Sequence, residues 1–94
     1  MPYMYIVECS DHSYYTGSAL DLVKRIETHN KAKGAKYTRG RLPVRLRYSE
    51  FFETMGEALT REKEVQSLTR NGKEKLFLKT KKNKKKKTER LIDG

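Results

Sequence analysis

The sequence predicts a small α+β domain in which helices flank a three-stranded antiparallel sheet, in the order β-β-α-β-α-α. The length of 94 residues fits one domain with one small core, which excludes a large multi-domain enzyme. Three segments have the residue types or the alternation typical of strands, and two helix-start signals precede amphipathic stretches. The domain is predicted to cover residues 1–78, because residues 79–94 form a Lys-rich tail without apolar periodicity that we expect to be disordered.

The first two strands are predicted to form a hairpin. Residues Tyr3 to Cys9 combine aromatic and β-branched side chains and are followed by turn-forming residues. A second short run begins at Tyr14 and stops at Gly17. The number of residues between the two runs predicts a hairpin loop longer than a two-residue turn.

A helix is predicted to follow the hairpin. The segment Ser18 to Asp21 matches the S-x-x-[DE] signal for a helix start. Leu22, Val23 and Ile26 then supply one apolar stripe. The helix should end near residue 30, and residues 31–43 should form a basic connecting loop.

The third strand is predicted from strict alternation in residues 44–48. Val44, Leu46 and Tyr48 would lie on one face of this strand. Arg45 and Arg47 would then lie on the opposite face.

A capping box of Thr54 and Glu57 predicts the start of the second long helix. Its apolar stripe comprises Met55, Ala58, Leu59 and Val65. Glu62 lies near the centre of that stripe, where a carboxylate without a partner would cost several kcal/mol. Three interpretations of Glu62 stay open at this point: a buried ion pair or backbone cap, a general acid or base, and a metal ligand.

A third helix is predicted for residues 73–78, after Asn71 and Gly72 end the second helix. Its residues Leu76 and Phe77 would cover the sheet.

The charge of the chain is concentrated in two zones. The net charge is +10, from 22 Lys and Arg against 12 Asp and Glu. Residues 79–94 hold eight basic and two acidic residues, and residues 31–47 hold seven basic residues and no acidic one. Such zones favour a polyanionic partner, because Lys and Arg that neutralise phosphates release condensed counterions. Charge alone leaves nucleic acid, an anionic membrane surface and acidic proteins open.

The single cysteine, Cys9, excludes an intramolecular disulfide and favours a reducing, cytoplasmic location. With one Cys and two His, a closed zinc site is not expected.

The apolar N-terminal segment ends at Glu8 and has neither the positive leader of a signal peptide nor the length of a membrane span. We therefore expect no association with a membrane.

Arg25 and His29 lie four residues apart and hence on one face of the first helix. The structural alternatives to a functional role are a solvated arginine paired with Asp21 and a histidine favoured by the helix C-terminus. Tyrosine chemistry requires a pKa below the ordinary value of about 10, which a neighbouring cation would favour.

The segment from Tyr15 to His29 resembles the core of the GIY-YIG endonuclease superfamily. In that superfamily a Tyr-x-Gly strand end is followed by an Arg ten residues after the Tyr and, in many members, by a His four residues later. The corresponding residues in this chain are Tyr15, Gly17, Arg25 and His29.

Two further segments extend this resemblance. The first-strand motif of the superfamily appears as Met4-Tyr5-Ile6, without its leading Gly. The segment Glu57 to Glu62 is similar to the helix that ends on the metal-binding Glu. The similarity covers residues 3–78 and is greatest to a small, free-standing bacterial branch.

The resemblance implies an enzyme that hydrolyses phosphodiester bonds in DNA with one Mg²⁺ or Mn²⁺ ion. Glu62 would hold the ion, and Arg25 would bind the scissile phosphate. Tyr15 would activate the attacking water, with Tyr5 supporting it and His29 orienting the site. The candidate nucleic-acid contacts in the basic zone are Lys36, Arg39, Arg41, Arg45 and Arg47. A monomer is expected.

The alternative function is a non-catalytic nucleic-acid-binding module that keeps the fold. The two basic zones and the absence of a separate specificity domain favour it. This alternative predicts salt-sensitive binding without any metal-dependent product. A protein-interaction scaffold is a third alternative.

Overall fold

The computed structural model describes residues 2–78 and confirms the predicted fold class. Three strands form one antiparallel sheet in the order β2-β1-β3, so that β1 lies in the centre. The elements are β1 (Tyr3–Glu8), β2 (Tyr14–Ala19), α1 (Leu22–Asn30), α2 (Lys36–Arg39), β3 (Arg45–Phe51), α3 (Met55–Gln66) and α4 (70–78). The predicted tail, residues 79–94, lies outside the described residues. None of the helices in this part of the chain is long and apolar enough to cross a membrane.

Successive residues of β1 point to opposite faces of the sheet and build two separate cores. The first core contains Tyr5, Val7, Cys9, Ala19 and Val44, with Leu22 and Ile26 of α1 packed against it. The second core contains Met4, Ile6 and Val65 of α3, with Leu76 and Phe77 of α4 packed against it. We call these two sides the α1 face and the α4 face. The prediction that Leu76 and Phe77 cover the sheet is confirmed.

Helix α1 begins later than the Ser18 signal predicts. Asp21 is the N-cap, and its carboxylate accepts a hydrogen bond from the Lys24 amide at 3.1 Å. Ser18 instead pairs with Met4 in the sheet, which lengthens β2. Because Asp21 already satisfies a free N–H group of the first turn, the Ser18 hydroxyl is available to a different partner. Val23, predicted for the apolar stripe, is 70% exposed.

The capping box at the start of α3 is confirmed, with both reciprocal hydrogen bonds between Thr54 and Glu57 present. Of the predicted apolar stripe, Ala58 and Val65 are fully buried, whereas Leu59 is 47% exposed. The buried side of α3 is therefore narrower than the stripe predicts.

The junction between α3 and α4 differs from the prediction. Helix α3 ends at Gln66, so the prediction that Asn71 and Gly72 end it is wrong. Thr69 explains the difference, because its hydroxyl accepts from the Gly72 amide at 3.2 Å and its carbonyl accepts from the Lys73 amide at 3.0 Å. Thr69 thus caps α4, and the Asn-Gly pair lies in the first turn of that helix.

Strand β3 contains a bulge at Arg47. Tyr48 lies opposite Ile6 and Leu46 lies opposite Val7, which leaves Arg47 as an extra residue between two paired positions. The prediction of strict alternation along β3 is therefore wrong. The extra residue places Leu46 on the α1 face and Tyr48 on the α4 face.

The loop before β3 is closed by Asn30, the last residue of α1. Its Nδ2 donates to the Val44 carbonyl at 3.1 Å, and its Oδ1 accepts from the Val44 amide at 2.7 Å. Within the loop predicted for residues 31–43, the chain forms the single helical turn α2. This turn is an addition to the predicted element order.

Candidate active site

The structure brings the five residues predicted for catalysis together at the sheet edge formed by β2. Tyr5 and Tyr15 extend from neighbouring strands on the α1 face, and their ring centroids lie 6.5 Å apart. The His29 ring of α1 lies 6.0 Å from that of Tyr5 and 5.5 Å from that of Tyr15. Arg25 of α1 and Glu62 of α3 both act electrostatically on the two tyrosines. The five side chains therefore form one cluster.

His29 is buried in a network of neutral groups. Its Nε2 lies 2.9 Å from the Tyr5 hydroxyl oxygen, and its Nδ1 lies 2.9 Å from Thr38 Oγ1. The Thr38 hydroxyl also donates to the Ala35 carbonyl oxygen at 2.9 Å. Burial lowers the pKa of His29, and the nearby Arg25 lowers it further. The imidazole is therefore neutral at pH 7.

Two glycines allow these groups to pack closely. A Cβ atom at Gly17 would lie 2.6 Å from the Tyr5 hydroxyl oxygen. A Cβ atom at Gly34 would lie 2.3 Å from His29 Nδ1. Both distances are much shorter than van der Waals contact, so any larger residue at either position would displace Tyr5 or His29.

The two tyrosines differ in exposure. Tyr5 is 1% exposed, whereas Tyr15 is half-buried. Burial raises the pKa of both hydroxyls, that of Tyr5 further through Tyr15 and that of Tyr15 further through Glu62. Arg25 lowers both pKa values, in the direction predicted for a neighbouring cation, but burial outweighs it. Both hydroxyls are therefore protonated in this structure at neutral pH.

Glu62 is half-buried beside the open edge of β2. Its Oε1 accepts a hydrogen bond from Ser18 Oγ at 2.7 Å, and its Oε2 accepts one from Gln66 Nε2 at 3.0 Å. Among residues 2–78, no Lys, Arg or His forms an ion pair with this carboxylate. Glu62 is therefore held by neutral donors, and its charge is not compensated by a protein cation in the described part of the chain.

The residues around Glu62 fit a divalent cation whose other ligands are water or substrate. Residues 2–78 contain no cluster of three or more His, Cys, Asp or Glu side chains that could enclose a metal. Mg²⁺ is commonly bound through one or two carboxylates together with water and phosphate oxygens. A single hard carboxylate without a competing cation meets this requirement.

Arg25 is exposed and lines a groove between α1 and the start of α3. The groove is also lined by Ser18, Leu20, Lys24, Thr28 and Met55. Ser18, one of these lining residues, donates to Glu62, so the carboxylate lies one hydrogen bond away from the groove that Arg25 lines. A guanidinium in such a position can bind a phosphate through two parallel hydrogen bonds.

Three of the predicted nucleic-acid contacts lie next to the catalytic residues. The exposed residues of α2 are Lys36, Tyr37 and Arg39. The Tyr37 ring stacks on Tyr15 at a centroid distance of 6.1 Å, which places α2 beside the site. Arg41 lies 4.0 Å from the centre of the Tyr37 ring and pairs with Asp11 at 3.1 Å.

The other two predicted contacts, Arg45 and Arg47, lie on the α4 face. Arg45 Nη2 and Arg47 Nη1 lie 3.0 and 2.6 Å from the same oxygen of Glu8. Glu8 is opposite Arg45 in the sheet, and His12 Nδ1 lies 2.9 Å from its second oxygen. The structure therefore separates these two arginines from Tyr15.

Four residues that hold the catalytic groups were not found from the sequence. They are Ser18 and Gln66 at Glu62, and Gly34 and Thr38 at His29. Gln66 carries a usable signal, because it follows Glu62 by four residues on one helix face. The other three give no local signal, since their contacts depend on how separate segments meet.

Comparisons with known proteins show which family the chain resembles. The GIY-YIG catalytic domain family matches residues 1–89. A UPF0213 protein from Halobacterium salinarum is 49% identical over 77 residues, which cover 82% of this chain and 100% of that protein. A UPF0213 protein from Clostridium perfringens is 54% identical over 77 residues, which cover 82% of this chain and 83% of that protein.

Two solution NMR structures are similar in fold. The UPF0213 protein BH0048 from Bacillus halodurans superposes with a TM-score of 0.51 at 49% identity, covering 81% of this chain and 82% of that one. The protein EF2693 from E. faecalis superposes with a TM-score of 0.55 at 41% identity, covering 83% of this chain and 82% of that one.

Proposed function

Because this chain belongs to the GIY-YIG catalytic domain family, a nuclease superfamily, we propose that it is a divalent-metal-dependent endonuclease that hydrolyses phosphodiester bonds in DNA. The observation that carries the proposal is the position of Glu62. Its carboxylate forms no ion pair within residues 2–78 and is hydrogen-bonded to Ser18, which lines the groove that also holds Arg25. It also acts electrostatically on Tyr5 and Tyr15. We further propose that it acts as a cytoplasmic monomer.

The geometry supports separate roles for the cluster residues. Arg25, exposed in the groove, would bind the scissile phosphate and offset the charge that develops in the transition state. Tyr15 is the more exposed of the two tyrosines, so it would contact the attacking water and accept its proton while giving up its own hydroxyl proton towards Tyr5. Tyr5 is 1% exposed and would support Tyr15 from within, with its hydroxyl oriented by His29.

Glu62 would hold one Mg²⁺ or Mn²⁺ ion, which when bound supplies Lewis-acid polarisation of a phosphate oxygen and stabilises the leaving oxygen. Ser18 and Gln66 each donate to one Glu62 oxygen, which fixes the orientation of the carboxylate and leaves further lone pairs for ligation. Lys36 and Arg39 would contact flanking phosphates without reading sequence.

The proposal is tested by incubating the purified full chain with plasmid, branched DNA and RNA in Mg²⁺ or Mn²⁺. We expect cleavage that requires the divalent ion. Glu62→Ala and Arg25→Ala should each lower the rate at least about 100-fold, because each removes charge stabilisation of the transition state. Glu64→Ala is the matched control, since Glu64 lies on the same helix with its side chain 61% exposed.

Each alternative result has a defined meaning. If Glu62→Ala and Glu64→Ala cleave equally well, the site assignment is wrong and a contaminating nuclease explains the products. If the wild type binds DNA in a salt-sensitive manner but yields no metal-dependent product, the chain is a non-catalytic binding module.

A further inference from the structure

The hydrogen bonds around His29 determine where its proton lies. Thr38 Oγ1 lies 2.9 Å from the Ala35 carbonyl oxygen and 2.9 Å from His29 Nδ1. A carbonyl oxygen can only accept, so the single hydroxyl proton of Thr38 points at Ala35. Thr38 Oγ1 is therefore left as an acceptor towards the ring, and His29 Nδ1 carries the proton.

The opposite ring nitrogen completes a directed chain. Because the neutral ring has only one proton, Nε2 is an acceptor, and the Tyr5 hydroxyl donates to it at 2.9 Å. The hydrogen bonds thus run from Tyr5 through His29 and Thr38 to Ala35. Tyr5 and His29 are 1% exposed and Thr38 is 0% exposed, so bulk water does not compete for these groups.

Thr38 is itself fixed in place from two sides. Its backbone amide donates to the same Ala35 carbonyl at 3.0 Å, which locks the residue into the turn of α2. Gly34 lies against the His29 ring so closely that a Cβ there would overlap Nδ1. The acceptor is therefore held at one position relative to the ring.

We propose that Thr38 is a positioning residue that keeps His29 in the tautomer protonated on Nδ1. Its catalytic consequence rests on the proposed function. In this tautomer, Nε2 of His29 can take the Tyr5 hydroxyl proton while the Tyr5 oxygen takes the hydroxyl proton that Tyr15 gives up. A proton then leaves the reaction centre, His29 becomes the imidazolium, and Tyr5 regains its hydroxyl. The other tautomer would place a proton on Nε2 and block this transfer.

The tautomer is measured directly by NMR of the full chain labelled with ¹⁵N-histidine. We expect the wild-type His29 spectrum to show a protonated Nδ1 and an unprotonated Nε2. Thr38→Val keeps the shape but removes the acceptor, which leaves Nδ1–H buried and unpaired. The ratio of the two tautomers should shift by about tenfold towards protonated Nε2. Thr38→Ser should restore the wild-type ratio.

The second measurement is the steady-state kinetics of DNA cleavage. Thr38→Val should lower kcat by about tenfold or more with an unchanged KM, and Thr38→Ser should keep most of the wild-type kcat. Thermal unfolding of both variants separates this effect from a loss of stability.

Several results would overturn the proposal. The proposal is wrong if His29 of the wild type is protonated on Nε2. It is also wrong if the Thr38→Val protein keeps the wild-type tautomer and only loses stability. A failure of Thr38→Ser to restore the ratio overturns it as well. If the wild type shows the expected tautomer but cleaves nothing, the proposed function fails while the placement of the His29 proton by Thr38 stands.

Discussion

The two faces of the sheet hold their buried polar groups in opposite ways. On the α1 face, His29 is neutral and is held by the hydroxyl groups of Tyr5 and Thr38. On the α4 face, Glu8 is 7% exposed and is surrounded by two arginines and a histidine. On the α1 face, the buried polar centre thus relies on neutral groups with exchangeable protons, whereas the centre around Glu8 on the α4 face relies on fixed charges.

The protonation states of the two centres follow from their partners. The hydrogen bond from His12 and the nearby Arg45 lower the pKa of Glu8 to about 2, so Glu8 is ionised at any physiological pH. Burial instead lowers the pKa of His29 and keeps it uncharged. Near pH 7, Glu8 is therefore permanently charged, whereas His29 is uncharged until a proton is delivered to it.

The largest effect that distinguishes the two faces is expected for Gly34→Ala. The new methyl group would lie 2.3 Å from His29 Nδ1, so the ring or the loop must move, at a cost of roughly 3 kcal/mol in the free energy of unfolding. Urea unfolding measures this cost, and DNA cleavage should be lost at the same time. Gly40→Ala is the control, because a Cβ there has no neighbour within 4 Å. Equal stability of the two variants would contradict the close packing of the α1 face.

An intermediate effect is expected for Glu8→Gln on the α4 face. Removing the carboxylate leaves Arg45 and Arg47 without their common partner and should lower the free energy of unfolding by about 2 kcal/mol at pH 7. DNA cleavage per folded molecule should not change. The exposed Glu53→Gln serves as the control.

The same variant has a defined pH dependence. The folded-state pKa of Glu8 lies below its ordinary value of 4.5, so its contribution is complete above about pH 4.5 and is lost as the pH falls towards 2. Urea titrations across this range should show the difference between wild type and Glu8→Gln shrinking as acid is added. A difference that stays constant down to pH 2 would show that the charge of Glu8 is not what stabilises this face.

The smallest effect concerns the affinity for DNA, measured in a Glu62→Ala background. Replacing Lys36 and Arg39 by Gln should weaken binding by up to about tenfold and reduce the salt slope by about two, because both belong to α2, whose Tyr37 stacks on Tyr15. Replacing Arg45 and Arg47 by Gln should mainly lower stability. If both double variants reduce the salt slope equally, both faces contact DNA and the separation of roles is wrong.

Local interactions could be predicted from the sequence. The capping box of Thr54 and Glu57 involves residues three positions apart, so the pattern alone defines it. Helical periodicity identified Glu62 as an anomalous carboxylate, and the structure places it half-buried and without a protein cation in the described residues. The hairpin of β1 and β2 could be predicted equally well, since the turn residues lie between two runs of strand-forming residues.

Interactions between distant segments could not be predicted. The bulge at Arg47 depends on how β3 aligns with β1, which alternation within β3 does not reveal. The contact of Thr38 with His29 depends on the fold of the loop between them. Ser18 matched a helix-start signal, but its hydroxyl binds Glu62, because Asp21 provides a competing cap nearer the helix.

The paired hydrogen bonds between Asn30 and Val44 bring the two ends of the segment 31–43 together, as is needed at a site for loop grafting. One side chain thus ties the start of β3 directly to the end of α1. Grafts into residues 31–43 that vary in length or in basic content are compatible with the scaffold, provided that they return Gly34 and Thr38 to the His29 ring. Under the proposed function, such grafts would change the contacts with the nucleic acid and leave the transfer of the Tyr5 proton to His29 in place.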